Sequence, residues 1–134
     1  MHPLFDQASA ITSDVIGAAI EVNRDKGPGL LESIYEWCFT MELQLRGRRV
    51  QRQKNVVIQY KQFSREEPLR FDLLIDGCLL IEVKAVEKIL AINKAQLLSY
   101  MKLLDVPLGL LINFNTVKLS EGVSRLILPG ANLD

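Results

Sequence analysis

Histidine is nearly absent from this chain: His2 is the only one among 134 residues, and it stands beside the N-terminus. That excludes histidine-based zinc sites and Ser/His or Cys/His nucleophilic catalysis. The only cysteines, Cys38 and Cys78, form neither metal-ligand spacing nor a disulfide framework, and their apolar contexts read as small core residues. Charge of one sign is not in excess: Lys+Arg and Asp+Glu are equal at 16 each, so no global field draws the protein to a polyanion. No apolar run reaches the length of a membrane span, and no membrane association is expected. The opening MHPLFDQASA has neither the basic start nor the apolar stretch of a secretory leader, so a reducing, cytoplasmic setting is the expectation.

What is present is ordinary globular composition, 49% apolar and 24% charged. The length suits one domain spanning residues 1–134, large enough to hold a core without staples. The charge is unevenly spread. Arg46, Arg48, Arg49, Arg52, Lys54, Lys61 and Arg65 lie between Glu42 and Glu66 with no acid among them. Two readings stand: a solvated strand and turn, or a stripe that faces phosphates.

Ile11, Val15, Ala18, Ala19 and Val22 recur at helical spacing, and the break KGPGL (26–30) ends that helix. A second helix is predicted from near Leu30 to about Arg46, with Leu31, Ile34, Tyr35, Cys38, Phe39 and Leu43 as its apolar face and Gly47 after it. The period then changes. Arg49 to Tyr60 reads as a strand, KQFSREEP (61–68) as a surface turn, and LRFDLLI and CLLIEVKA as two apolar strands joined at Asp76-Gly77. INKAQLLSYMKLL is a helix, VPLGLLINF a strand covered on both faces, and VSRLILP a last strand. The order α-α-β-β-β-α-β-β predicts an α/β (α+β) fold: a meander of three antiparallel strands, a helical crossover to a parallel strand, and helices on the faces of a mixed sheet.

One stretch, RFDLLIDGCLLIEVKA (70–85), places Asp72, Glu82 and Lys84 inside an apolar run. Buried charges are costly unless paired. Glu82 and Lys84 are two apart on a strand and share a face. A two-residue Asp76-Gly77 loop sets Asp72 opposite Ile81 and turns it away from Glu82. A three-residue loop, or a bulge, sets it opposite Glu82. In the first case Glu82 and Lys84 form an ion pair of little consequence. In the second, two neighbouring carboxylates call for a divalent cation, Mg²⁺ or Mn²⁺ by the hardness of the ligands, and an ammonium beside it can orient a water. Glu32 falls in the first turn of the second helix, where the helix dipole alone would favour an acid. Gln96 and Tyr100 share one face of the third helix at i, i+4. Asn113 and Asn115 flank Phe114 where a turn would suit them.

Together these residues resemble a known family. GLLESIY, with Gly29, Glu32 and Tyr35, is similar to the signature of the bacterial GxxExxY proteins, and the similarity continues through LRFDLLI, LIEVKAV, AQLLSYMKL and GLLINF, from about residue 10 to 128. That family is placed in the PD-(D/E)xK nuclease superfamily. The resemblance implies a restriction-endonuclease-like αβββαβ core and a metal-dependent nuclease acting on DNA or, as the lesser alternative, RNA. It implies that Asp72 and Glu82 are metal carboxylates, that Lys84 is the catalytic lysine, and that Glu32 is a helix-borne acid supporting the metal, through water. The Val83 carbonyl would be a further ligand. Gln96 and Tyr100 resemble the Q-x-x-x-Y pair of the exonuclease-like branch, lining the substrate side, and Arg49, Arg52 and Lys54 would contact the nucleic-acid backbone.

The chain departs from the family pattern at Asn23 and Asn93, where members often carry histidine. This keeps a second function in view, a catalytically inactive nucleic-acid-binding or regulatory module on a nuclease fold, and a third, a protein–protein adaptor. A homodimer or a protein partner would enlarge the small surface available for wrapping duplex.

Overall fold

The computed structural model describes residues 1–134. Helix α1 spans Phe5–Lys26, longer at both ends than its apolar repeat, and buries Ala8, Ile11, Val15, Ala18, Ala19 and Val22 along one stripe. Gly27, with φ 70°, turns the chain out of it, and Pro28 prevents continuation. Helix α2 spans Glu32–Leu45 and buries Tyr35, Phe39, Thr40 and Leu43. Leu31 and Ile34, expected on the buried face, are 70% and 38% exposed, because the inward stripe of α2 starts one residue later, at Tyr35. Then follow strands β1 (Val50–Tyr60), β2 (Phe63–Ile75) and β3 (Leu79–Lys84), helix α3 (Ala91–Leu104), strand β4 (Leu108–Asn113), a 3₁₀ turn (Leu119–Gly122) and strand β5 (Val123–Ile127).

The five strands lie in the order β1-β2-β3-β4-β5, all antiparallel except β3–β4. This is the predicted meander followed by a crossover through α3. The centre of the sheet is covered on both faces. Leu73, Ile75, Leu79, Ile81 and Val83 pack under α1 and α2 with Leu110, Ile112 and Phe114. Phe71, Leu74, Leu80 and Leu111 pack under α3 with Leu97, Met101 and Leu104. The approach of α3 is close: a Cβ on Gly109 would lie 2.7 Å from the Met101 sulfur. Within α3, Ala95 and Leu103 face outward and Leu97 inward. No helix is long and apolar enough to cross a membrane.

The expected surface turn at 61–68 is corrected. Residues 63–68 are not a turn. They begin a thirteen-residue strand, and the turn is confined to Lys61 and Gln62. Pro68 is tolerated there because β2 pairs with β3 only from Leu73 onward, which leaves one edge of the strand free for a residue that cannot donate. The N-terminus is tied down through its histidine. His2 Nδ1 accepts the Leu4 N–H at 3.0 Å, and its Nε2 reaches the carbonyl and the carboxylate of Asp105 at 3.1 and 3.0 Å.

Candidate active site

The turn between β2 and β3 decides the geometry. Asp76 and Gly77 have φ of 50° and 70°, the left-handed pair that a type I′ turn requires, and the Cys78 N–H bonds to the Ile75 carbonyl at 3.0 Å. The first ladder pair is Ile75↔Leu79, so three residues connect the strands and the odd register of the second case applies. The pairing runs to Leu73↔Ile81 and stops. One residue further, Asp72 falls opposite Glu82.

A second irregularity lies on the other side of β2. Between Gln51↔Leu74 and Gln53↔Arg70 a single residue of β1, Arg52, faces three of β2, Phe71, Asp72 and Leu73. This bulge breaks the alternation: Phe71 packs on the α3 side and Leu73 on the α1/α2 side. Asp72 is left in the gap where β2 leaves β3. Its Oδ2 takes the N–H of Val83 at 2.7 Å, a bond the strand ladder would otherwise have made. Glu82 and Lys84 stand beside it on one face of β3, with Lys84 Nζ 3.6 Å from Glu82 Oε1, and with side chains 12% and 19% exposed.

The electrostatics show strain among the acids. Burial, opposed by the Val83 N–H and by Lys84, holds the Asp72 carboxyl above its ordinary pKa. Burial and then the Asp72 charge raise Glu82, with Lys84 opposing. Glu32, the most open of the group, is raised by desolvation, with Lys84 opposing and Asp72 adding. Glu36, one turn on from Glu32, is raised by burial and by Asp72. Its partner Arg52 lies at 3.3 Å and its field also reaches Asp72. The charges of Asp72, Glu82, Glu32 and Glu36 are thus felt among one another, with Lys84 and Arg52 as the cations that oppose them.

Glu36 was not singled out in the sequence, although its spacing from Glu32, i to i+4 on one helix face, was a signal that could have found it. The surrounding residues hold this arrangement in place. The Tyr35 ring is fully buried and stacks on Phe114 at 5.0 Å. Its hydroxyl donates to the Gly27 carbonyl and accepts the Leu30 N–H, so it ties the loop that delivers Glu32. Asn113 clasps the segment after Lys84 through both the N–H and the carbonyl of Val86, at 3.1 and 2.9 Å, and Asn115 adds a bond at 3.3 Å. Asn23 bonds the carbonyls of Phe114 and Thr116, and Asn93 accepts the Leu90 N–H at the start of α3. Both of these asparagines brace loops rather than face the acids.

The basic segment divides. Arg46 pairs with Asp14 and Glu42, and Arg48 with Asp14 and Asp76. The backbone of Arg49 is tied to Asp76 at the turn. That turn is at the opposite end of β3 from Lys84, roughly 16 Å away at 3.3 Å per strand residue. Arg52 reaches the acids, and Lys54 is exposed on β1 opposite Leu69. Gln96 is exposed on α3, and Tyr100 is half-buried against the core beneath that helix.

The donor chemistry suits a small hard cation. Asp72 and Glu82 bring carboxylate oxygens and a surplus of negative charge, and Mg²⁺ or Mn²⁺ keep waters in most of their positions. No three His, Cys, Asp or Glu side chains converge into a ready-made cage, so the fit is to an ion held by two carboxylates and water.

A mixed sheet between helices, with a carboxylate where two antiparallel strands part and an acid-x-lysine on the adjacent strand, defines the class: a restriction-endonuclease-like α+β fold. The sequence model of the PD-(D/E)XK nuclease superfamily matches residues 9–126, and the chain belongs to that superfamily. Membership carries nuclease function, interaction with nucleic acid and a general dependence on divalent metal at the level of the superfamily. No curated protein and no solved structure matches the chain.

Proposed function

We propose that this chain is a Mg²⁺- or Mn²⁺-dependent nuclease of the GxxExxY group that hydrolyses phosphodiester bonds of DNA in preference to RNA. The observation that carries the reading is the Asp72 carboxylate seated on the Val83 N–H beside Glu82 and Lys84, where β2 leaves β3. Asp72, Glu82, the Val83 carbonyl and, through water, Glu32 would hold the cation, which when bound stabilises charge on the scissile phosphate and acidifies water.

The chain's own groups do the rest. Glu82 holds the Lys84 ammonium at the mouth of the gap. There the ammonium donates to the attacking water and orients it toward phosphorus. Arg52, paired with Glu36 at 3.3 Å and half-exposed, would exchange that carboxylate for a non-bridging phosphate oxygen. Gln96 and Tyr100 shape the substrate side from α3. Lys54 adds backbone contact without reading sequence. Arg49 belongs to this reading only as a contact distant from the cut. The reading also places the protein in the cytoplasm, with Cys38 and Cys78 as free thiols.

The test is cleavage of linear, circular and single-stranded DNA and of RNA, with Mg²⁺ or Mn²⁺ and with EDTA. Lys84→Ala is expected to slow cleavage by about 100-fold or more. Binding that EDTA leaves unchanged, with no cleavage by the wild type under any condition, would instead establish the inactive binding module.

A further inference from the structure

The two-stranded part of the β1–β2 hairpin extends past the sheet. Eight pairs, from Gln53↔Arg70 to Tyr60↔Phe63, have no third strand, because β3 pairs with β2 only at residues 73–75. Val56 and Leu69 pack the base of this ribbon onto the core beneath α3. Beyond them the ribbon is exposed, and its tip carries a cross-strand aromatic pair, Tyr60 and Phe63, 67% and 63% exposed. Ile58 and Arg65 form the next pair on the same face, and Lys61 Nζ lies 5.3 Å from the Tyr60 ring centre.

Two exposed aromatic rings beside cations, on a ribbon that stands clear of the sheet, suit an occupant that is flat and anionic. From Arg52 to Arg70 the ribbon carries Arg52, Lys54, Lys61, Arg65 and Arg70 against Glu66 and Glu67, in a chain whose net charge is zero. Glu67 is taken by Arg65 at 2.6 Å and Arg52 by Glu36 at 3.3 Å, which leaves Lys54, Lys61 and Arg70 without an acidic partner. A second copy of the ribbon would bring like charges together. A nucleic-acid strand satisfies both features, its phosphates meeting the lysines and its unpaired bases stacking on the rings.

We infer that the β1–β2 ribbon is a binding arm for single-stranded nucleic acid, with Tyr60 and Phe63 as a base-stacking platform about 30 Å along β2 from Asp72. The arm thus directs the enzyme to strands with an unpaired segment longer than the active site alone would engage. The inference rests on the nuclease reading for its substrate, but the arm can be tested without cleavage.

Affinity is measured in EDTA for single-stranded oligonucleotides of about 5 and about 25 nucleotides and for a blunt duplex. The proteins compared are the wild type, Tyr60→Ala/Phe63→Ala and Lys61→Gln, each checked for an unchanged melting temperature. The double variant is expected to bind the long single strand about tenfold or more weakly and the short one as the wild type does. Lys61→Gln should lower the slope of log affinity against log salt by about 1. Arm-dependent binding together with no cleavage in Mg²⁺ would overturn the nuclease reading and leave the arm. Cleavage together with unchanged affinity of the double variant would overturn the arm and leave the nuclease. An effect of the double variant on duplex affinity alone would refute stacking. Loss of a dimer in sedimentation, with affinity per protomer unchanged, would make the ribbon a subunit contact.

Discussion

Glu82 shows the conflict between stability and chemistry at a single residue. The residue is buried, and its carboxyl is held above its ordinary pKa by burial and by Asp72, with Lys84 compensating in part. A folded-state pKa above the unfolded one means that the folded protein binds the proton more tightly. The stability this brings is complete below the unfolded pKa and is lost as pH rises through the folded value. Once ionised, the carboxylate is therefore a burden on the fold. Glu82→Gln is expected to raise stability at pH 7 by about 1 kcal/mol, an ordinary size for a functional-site trade-off, while abolishing cleavage. Denaturant unfolding at pH 7 and near pH 4 checks this, since the gain should vanish at the lower pH. A variant less stable than wild type at pH 7 would show that the Lys84 pairing outweighs burial. The neighbour Asp72 was visible as a charge out of place in an apolar run, but its bond to the Val83 N–H was not.

At the scale of elements, the connection from α1 to α2 positions Glu32. The chain leaves α1 at Gly27, where φ is 70°, and passes Gly29 at 96° before α2 begins. The Tyr35 hydroxyl bridges this loop between the Gly27 carbonyl and the Leu30 N–H. The G-x-x-E-x-x-Y spacing is thus a mechanical unit: a loop that can turn, an acid at its end, and a tyrosine one turn later that ties the loop down. Tyr35→Phe keeps the stacking on Phe114 and removes only the hydroxyl. It is expected to cost about 1 kcal/mol, read from thermal unfolding, and to lower cleavage without weakening nucleic-acid binding in EDTA. An unchanged rate would mean that Glu32 needs no such support.

For the molecule as a whole, Asp72 and Glu82 come together from two strands only when the sheet forms, so a cation bound between them would bind only the folded state. Mg²⁺ or Mn²⁺ at about 100 times its dissociation constant should stabilise the protein by about 2.7 kcal/mol. The gain should weaken as pH falls toward the raised carboxyl values, because protons compete for the same oxygens. Asp72→Asn should lose it. Calorimetric scans with and without metal read this independently of catalysis, and an equal rise in melting temperature for wild type and Asp72→Asn would place the cation elsewhere. The same whole-molecule view explains the arginine-rich segment. No acid lies within it, yet Glu42 reaches Arg46 from one turn before, and Asp14, Glu36 and Asp76 come from a helix, a second helix and a turn, so Arg46, Arg48 and Arg52 are all paired within the fold.

The sequence by itself determined the element order, the mixed sheet and the presence of Asp72, Glu82 and Lys84 as charges inside apolar runs, because periodicity, turn residues and misplaced charges are local signals. It left open the face on which Asp72 would lie, since one residue more or less in the Asp76-Gly77 loop reverses every side chain beyond it. Only the tertiary structure decided that: Cys78 extends the loop to three residues, and the bulge opposite Arg52 sets Asp72 into the gap between strands. The pairing of the arginines and the free ribbon at 53–70 belong to the same category. Each depends on which distant segment comes to rest alongside, and packing settles that rather than spacing along the chain.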